Sequence, residues 1–101
     1  MRPLLALLPL ALLAGCGPVQ STGALIDADV ELEGARAAGA ATAAPYEFTS
    51  AEAYLHQARE ESGASRFEAA VTHASRAREL AQDARKKAIA ASNRAPQEGA
   101  P

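Results

Sequence analysis

The chain has a single cysteine in 101 residues, no tryptophan, and only two tyrosines and two phenylalanines. One thiol closes no intramolecular disulfide, so no covalent staple compensates for a small core. Its two histidines, His56 and His73, have no cysteine and no paired carboxylate near them at ligand spacing, and lone histidines on amphipathic helices read as solvated or rim residues. Asp27, Asp29, Glu31 and Glu33 alternate along a helical stretch, where alternate residues point in different directions, and no glycine-punctuated calcium loop accompanies them. The expectation is a chain with no catalytic residue, no metal and no cofactor. Strand patterning is absent. With a net charge of −2, falling to −3 without Arg2, nucleic acid is not an expected partner. The longest apolar run, Leu4 to Leu13, is short of the ~20 residues that span a bilayer as a helix.

That short run sits where a secretion signal would. Met1-Arg2 supplies a basic start, the leucine-rich stretch a core, and Leu13-Ala14-Gly15-Cys16 an apolar end, two small residues and the lone thiol. The arrangement resembles the lipobox of bacterial lipoproteins. The resemblance implies cleavage between Gly15 and Cys16, diacylglycerol on the Cys16 sulfur and an N-acyl chain on the freed amine; the alternative is an ordinary signal peptide cut elsewhere. One acyl chain at about 0.8 kcal/mol per buried CH₂ attaches only reversibly, whereas two or more hold firmly. Gly17 stands where aspartate typically retains such proteins at the inner membrane, so the resemblance implies the periplasmic face of the outer membrane.

Beyond Cys16 there is length for one small domain. Much of its apolar content is alanine, which favours helix but contributes little burial per residue. Such a core is marginal alone, which makes self-association or a partner a reasonable source of stability. Charge is unevenly placed. From Ser21 to Phe48 five acids face only Arg36, and from Arg66 to Arg94 seven bases outnumber three acids. The first and last helices lying side by side would explain this, and so would a partner site.

Gly17-Pro18-Val19-Gln20 reads as part of a lipidated tether over 16–21, followed by a bundle domain over 22–92. Ser21 or Thr22 caps a first helix over about 22–41, with Leu25, Ala28, Leu32, Ala35 and Gly39 on one face. Pro45 suits the first turn of a second helix over about 45–62, carrying Phe48, Ala51, Leu55 and Ala58; Thr49-x-x-Glu52 offers a later start that would leave Phe48 out of register. Gly63 suits the left-handed residue closing that helix, and Ser65-x-x-Glu68 is a capping box opening a third, over about 66–92. There Phe67, Ala70, Ala74, Ala77, Ala81, Ala84 and Ala88 alternate in steps of three and four, a seam that lets a neighbour approach at the near end of about 8–10 Å. Pro96 ends it, and 93–101 reads as a disordered tail. The expected fold is all-α, an up-down-up three-helix bundle preceded by a signal peptide, with Phe48, Tyr54 and Phe67 gathered around the alanine seams.

Two further resemblances bear on function. Leu55-x-x-Ala58 followed by Phe67-Glu68-x-Ala70-Val71-x-x-Ala74-x-x-Ala77-x-Glu79-Leu80 is similar to a tetratricopeptide helical hairpin, but no second copy or closing proline occurs and such arrays need at least three repeats. Ala44-Pro45-Tyr46-Glu47-Phe48-Thr49-Ser50-Ala51-Glu52-Ala53-Tyr54-Leu55, with Ala35 to Ala40, Ala58 to Gly63 and Phe67 to Ala70, resembles the small bacterial lipoproteins whose domain is termed domain of unknown function 4398. That resemblance implies a lipoprotein of the cell envelope, some of whose relatives precede peptidoglycan-binding domains, and carries over no activity; with no catalytic constellation in the chain, the expectation is a noncatalytic, membrane-anchored interaction or scaffolding module contacting another envelope protein or a peptidoglycan-associated protein. The candidate contact residues are Tyr46, Phe48, Tyr54, Phe67, Arg76 and Arg78. A homo-oligomer built on the alanine seam, associated with the cell wall, and a hairpin binding a peptide or small ligand are the alternatives.

Overall fold

The computed structural model describes the backbone of residues 2–98 and the side chains of residues 17–94; Met1 and residues 99–101 lie outside it. It is all-α: α1 Arg2–Ala37, a single-turn α2 Ala40–Ala43, α3 Pro45–Gly63 and α4 Phe67–Glu98. Three long helices form the bundle, and the cross-helix pairs give its topology. Ser21 meets Ser62, Asp29 meets Arg59 and Arg36 meets Glu52, so α1 and α3 are antiparallel. Glu61 meets His73 and Glu47 meets Lys87, so α3 and α4 are antiparallel. Gly17 abuts Phe67, Glu31 meets Gln82 and Gly34 abuts Arg85, which leaves α1 and α4 parallel.

Alanine dominates the core because the seam of α4 faces both neighbours. Ala70, Ala74, Ala77, Ala81, Ala84 and Ala88 are each at most 2% exposed. Small side chains let the three helices approach closely, so dispersion contacts between backbones replace part of what bulky residues would supply. Leu32, Phe48, Leu55 and Leu80 are the large residues buried among them. The α3 stripe falls as its spacing predicts, with Phe48, Ala51, Leu55 and Ala58 buried and Pro45 at the helix start. On α1, Ala28, Leu32 and Ala35 are buried and Leu25 packs at the edge of the core.

Several boundaries differ from the sequence reading. Gly17-Pro18-Val19-Gln20 is no tether but part of α1. Ser21 is therefore not a cap: it is fully buried, and its hydroxyl donates to Ser62 Oγ at 2.8 Å. α1 ends at Ala37 rather than near residue 41, because Gly39 adopts φ 85°, the left-handed conformation that glycine enters without a Cβ clash. The short α2 then buries Ala40. Ala44 at φ −140° precedes Pro45, whose ring excludes the helical conformation from the residue before it.

The α3–α4 turn closes differently as well. Gly63 is the last residue of α3, and Ser65 carries the positive φ, 63°. The Arg66 N–H bonds the Glu61 carbonyl at 2.8 Å and the Ser65 N–H the Ser62 carbonyl at 3.1 Å, the paired closure of a Schellman turn with serine at its left-handed position. Ser65 thus ends α3 instead of capping α4, and Arg66 opens α4 by accepting from the Ala70 N–H. α4 passes through Pro96 to Glu98, and the proline, lacking an N–H, leaves the carbonyl of the exposed Ser92 without its helical partner. The aromatic residues do not gather. Phe48 lies toward the Ala37 end of α1, Tyr54 stacks mid-bundle, and Phe67 lies at the Gly17 end.

A non-glycine left-handed residue costs about 1 kcal/mol, and a helical glycine about 0.5–1 kcal/mol relative to alanine. Ser65→Gly is expected to raise the melting temperature by about 4–8 °C, and Gly63→Ala, with open space around its Cβ, to raise it further. Thermal denaturation by circular dichroism checks both; a loss of stability in Gly63→Ala would make Gly63 the closing residue after all.

Candidate functional site

Three features of the surface have chemistry to offer. At the end of the bundle formed by the α3–α4 turn, α1 and α4 touch where Gly17 lies against Phe67: a Cβ at Gly17 would stand 3.2 Å from the ring. A shallow cleft of about 360 Å³ follows, lined by Gly17, Gln20, Phe67, Glu68, Val71 and Thr72. A second, of about 720 Å³, wraps the turn itself over Ser65, Arg66 and Phe67. Both are open surface depressions. Phe48, Tyr54 and Phe67 lie at different heights of the bundle and do not line a common cleft.

Just inside this end lies a polar cluster. Glu61 is 7% exposed and near the C-terminus of α3, where a carboxylate is opposed by the helix dipole. His73 of α4 lies against it, with Nδ1 to Oε1 at 2.5 Å. The imidazole ring stacks on Tyr54, with centroids 5.9 Å apart and planes at 23°. Of the two histidines read as solvated or rim residues, His73 is at the rim, half-buried, and His56 is solvated, paired with Glu60 on its own helix. Its signal was helical phase: Glu61 falls three residues past Ala58 in the buried stripe, and His73 lies between Ala70 and Ala77 of the seam.

The second feature is the outer face of α1. Val19, Ile26 and Val30 are 72%, 57% and 64% exposed. At 3.6 residues per turn they fall within about 40° of one another, opposite the buried Ala28, Leu32 and Ala35. Gly23 lies between them with nothing within 4 Å of where its Cβ would be. Asp27 and Glu33, both exposed, flank the stripe. A helix apolar on two opposite faces has one more face than the bundle covers.

The third feature is a set of exposed ion pairs that zip the helices: Asp29 to Arg59 at 2.8 Å, Arg36 to Glu52 at 3.5 Å, and Glu47 to Lys87. Only the last of these joins the acidic stretch 21–48 to the basic stretch 66–94; Asp29 and Arg36 of α1 pair with α3 instead. Arg36 also lies over the Phe48 ring, 5.4 Å from its centroid, and its hydrogen bond to Glu33 holds its pKa up. The hydrogen bond from Lys87 holds the Glu47 carboxyl below the usual glutamate range, and the same bond holds Lys87 above its ordinary value.

The candidate contact residues are therefore dispersed. Tyr46 is 75% exposed at the far end, and Phe48 is buried under Arg36. Tyr54 and Phe67 are half-buried at different heights. Arg76 pairs with Glu79 at 3.1 Å, and Arg78 is exposed on α4. Gly15 and Cys16 belong to the backbone of α1, their side chains lying outside the described residues. The alanine seam is filled within the chain by α1 and α3. Among the described residues no group of three or more His, Cys, Asp or Glu could hold a metal, and no helix is long and apolar enough to cross a membrane. Comparison with protein-family models, curated proteins and solved structures yields no match.

His73→Ala leaves the Glu61 carboxylate buried without its partner and is expected to cost about 1–3 kcal/mol. Replacing both by leucine removes the need for a partner and recovers most of that loss, as urea denaturation of the two variants will show. Because Glu47 titrates lower when folded, its pairing stabilises the bundle above the unfolded glutamate pKa and is lost as pH falls through the lower, folded value. The gap in melting temperature between the natural chain and Glu47→Gln should be open at pH 7 and closed at pH 2.

Proposed function

We propose that this protein is a noncatalytic lipoprotein of the bacterial cell envelope, held by diacylglycerol and an N-acyl chain on Cys16 at the periplasmic face of the outer membrane, and that it works by contact as an interaction or scaffolding module. The Leu13-Ala14-Gly15-Cys16 lipobox and the resemblance to lipoproteins with domain of unknown function 4398 support the compartment. Pro18 supports the cleavage point. Inside a long helix a proline removes an N–H and collides with the carbonyl four residues back, at about 3 kcal/mol. With Cys16 as the first residue, Pro18 falls in the first turn, where its N–H is not needed.

The observation that carries the contact reading is the second apolar face of α1, Val19, Ile26 and Val30 around Gly23. Exposed aliphatics aligned on one helix face are a surface for another helix. Asp27 and Glu33 beside the stripe favour a basic amphipathic helix of another envelope protein, and disfavour a second copy, whose α1 would bring like charges together.

Photo-crosslinking in intact cells tests this. A benzophenone amino acid at Ile26 is expected to form an adduct with a different, basic-helix protein, at least several-fold weaker when Asp27→Lys and Glu33→Lys are added, with none from a probe at Glu79. An adduct at twice the chain's own mass would make the stripe a self-association surface. Palmitate labelling should be lost in Cys16→Ser; labelling that persists removes the anchor.

A further inference from the structure

Resting on the lipidated Cys16 of the preceding reading, the geometry points to a second contact: the bundle stands directly on the bilayer with its α3–α4 turn against the lipid headgroups. Three observations combine. α1 is continuous through Cys16, so the residue that carries the acyl chains is separated from the packed bundle by no flexible segment. The next residue, Gly17, is the one against which Phe67 lies, which sets the start of α4 and the turn before it at the height of the anchor. Arg66, exposed at that turn, makes no ion pair among the described residues.

A bilayer surface supplies what these residues lack. The headgroup region is about 5–7 Å thick on each side of the hydrocarbon, so a side chain at the height of the acylated residue lies within it. Lipid phosphates match the planar donor fork of Arg66. Phe67, half-buried and flanked by the cleft over Val71, fits the boundary where aromatic rings settle with one side apolar and the other wet. The remaining axis is then set. Twenty-one residues of α1 from Gly17 to Ala37 rise about 30 Å, which lifts the Gly39 corner and the exposed Tyr46 well clear of the membrane. The Val19, Ile26 and Val30 stripe faces sideways, its lowest residue less than one helical turn above the anchor.

Because the natural chain has no tryptophan, one substitution reports on one site. The acylated protein is reconstituted in phosphatidylethanolamine and phosphatidylglycerol vesicles containing a lipid brominated in its acyl chains. Phe67→Trp is expected to show a blue-shifted emission quenched at least twofold, and Tyr46→Trp at the far end no quenching. Should Trp disturb the packing on Gly17, Ala64→Cys labelled with an environment-sensitive bimane gives the same reading at an exposed position of the same turn and leaves Arg66 in place. Vesicles that float with the protein but leave both reporters at the α3–α4 turn unquenched, or quench Tyr46→Trp equally, overturn the upright seating while keeping the anchor. Protein that fails to float with vesicles overturns the anchor itself, and the seating with it.

Discussion

Close approach along the α4 alanine seam is the constraint on which the rest of this structure depends. Six alanines on one face let α1 and α3 settle against α4 with little between the backbones. A bundle assembled this way holds few large side chains, so each one that is buried has a specific place. Leu55 fills the centre, Phe48 the Gly39 end and Leu80 the side of α4. The polar groups drawn in by the same closeness had to be matched, and they are: Ser21 with Ser62, and Glu61 with His73. Ion pairs then align the helices from outside.

The same constraint decides which surfaces remain for contact. With the seam occupied, the large apolar side chains left exposed among the described residues are the Val19, Ile26 and Val30 stripe of α1, Tyr46 at the far corner and Ile89 on α4. A helix patterned on two faces has a weak amphipathic signature, which is why the outer stripe does not stand out in sequence beside the clean period of α4. Val19, Ile26 and Val30 are readable there only as members of a short roster of large residues. What separates them from the core is the phase of Ala28, Leu32 and Ala35, and that phase is unambiguous only once the neighbours of α1 are known.

Legibility in the sequence followed the strength of local physics. The all-α class, the α3 register and the seam came through because periods of three and four repeat without interruption, and Pro45 marked its helix start because a proline belongs there. The turns did not. Gly63 carried the expected residue type for a left-handed closure and Ser65 the expected type for a cap, yet the Schellman hydrogen bonds fell two residues further on, with the strain placed on serine. Gly39 fitted the apolar face of α1 and instead ends that helix. The segment from Gly17 to Gln20 has nothing of its own to pack, which makes it look like a leash in sequence, and it is instead continuous with the helix on either side, with Gly17 against Phe67 of α4. In each case a tertiary neighbour, absent from local sequence, decided the outcome.

α1 runs without a break from Cys16 into the packed bundle, so the anchor proposed at Cys16 would make the domain a post standing on the membrane and not a body floating above it. Hydrogen–deuterium exchange on the mature, acylated protein in vesicles tests it most directly. The amides of Ser21 to Leu25, one turn beyond the unbonded start of the helix, should be protected to within about tenfold of those of Ala74 to Ala84. Exchange of Ser21 to Leu25 at the rate of an unstructured chain, with the α4 seam still protected, would contradict it.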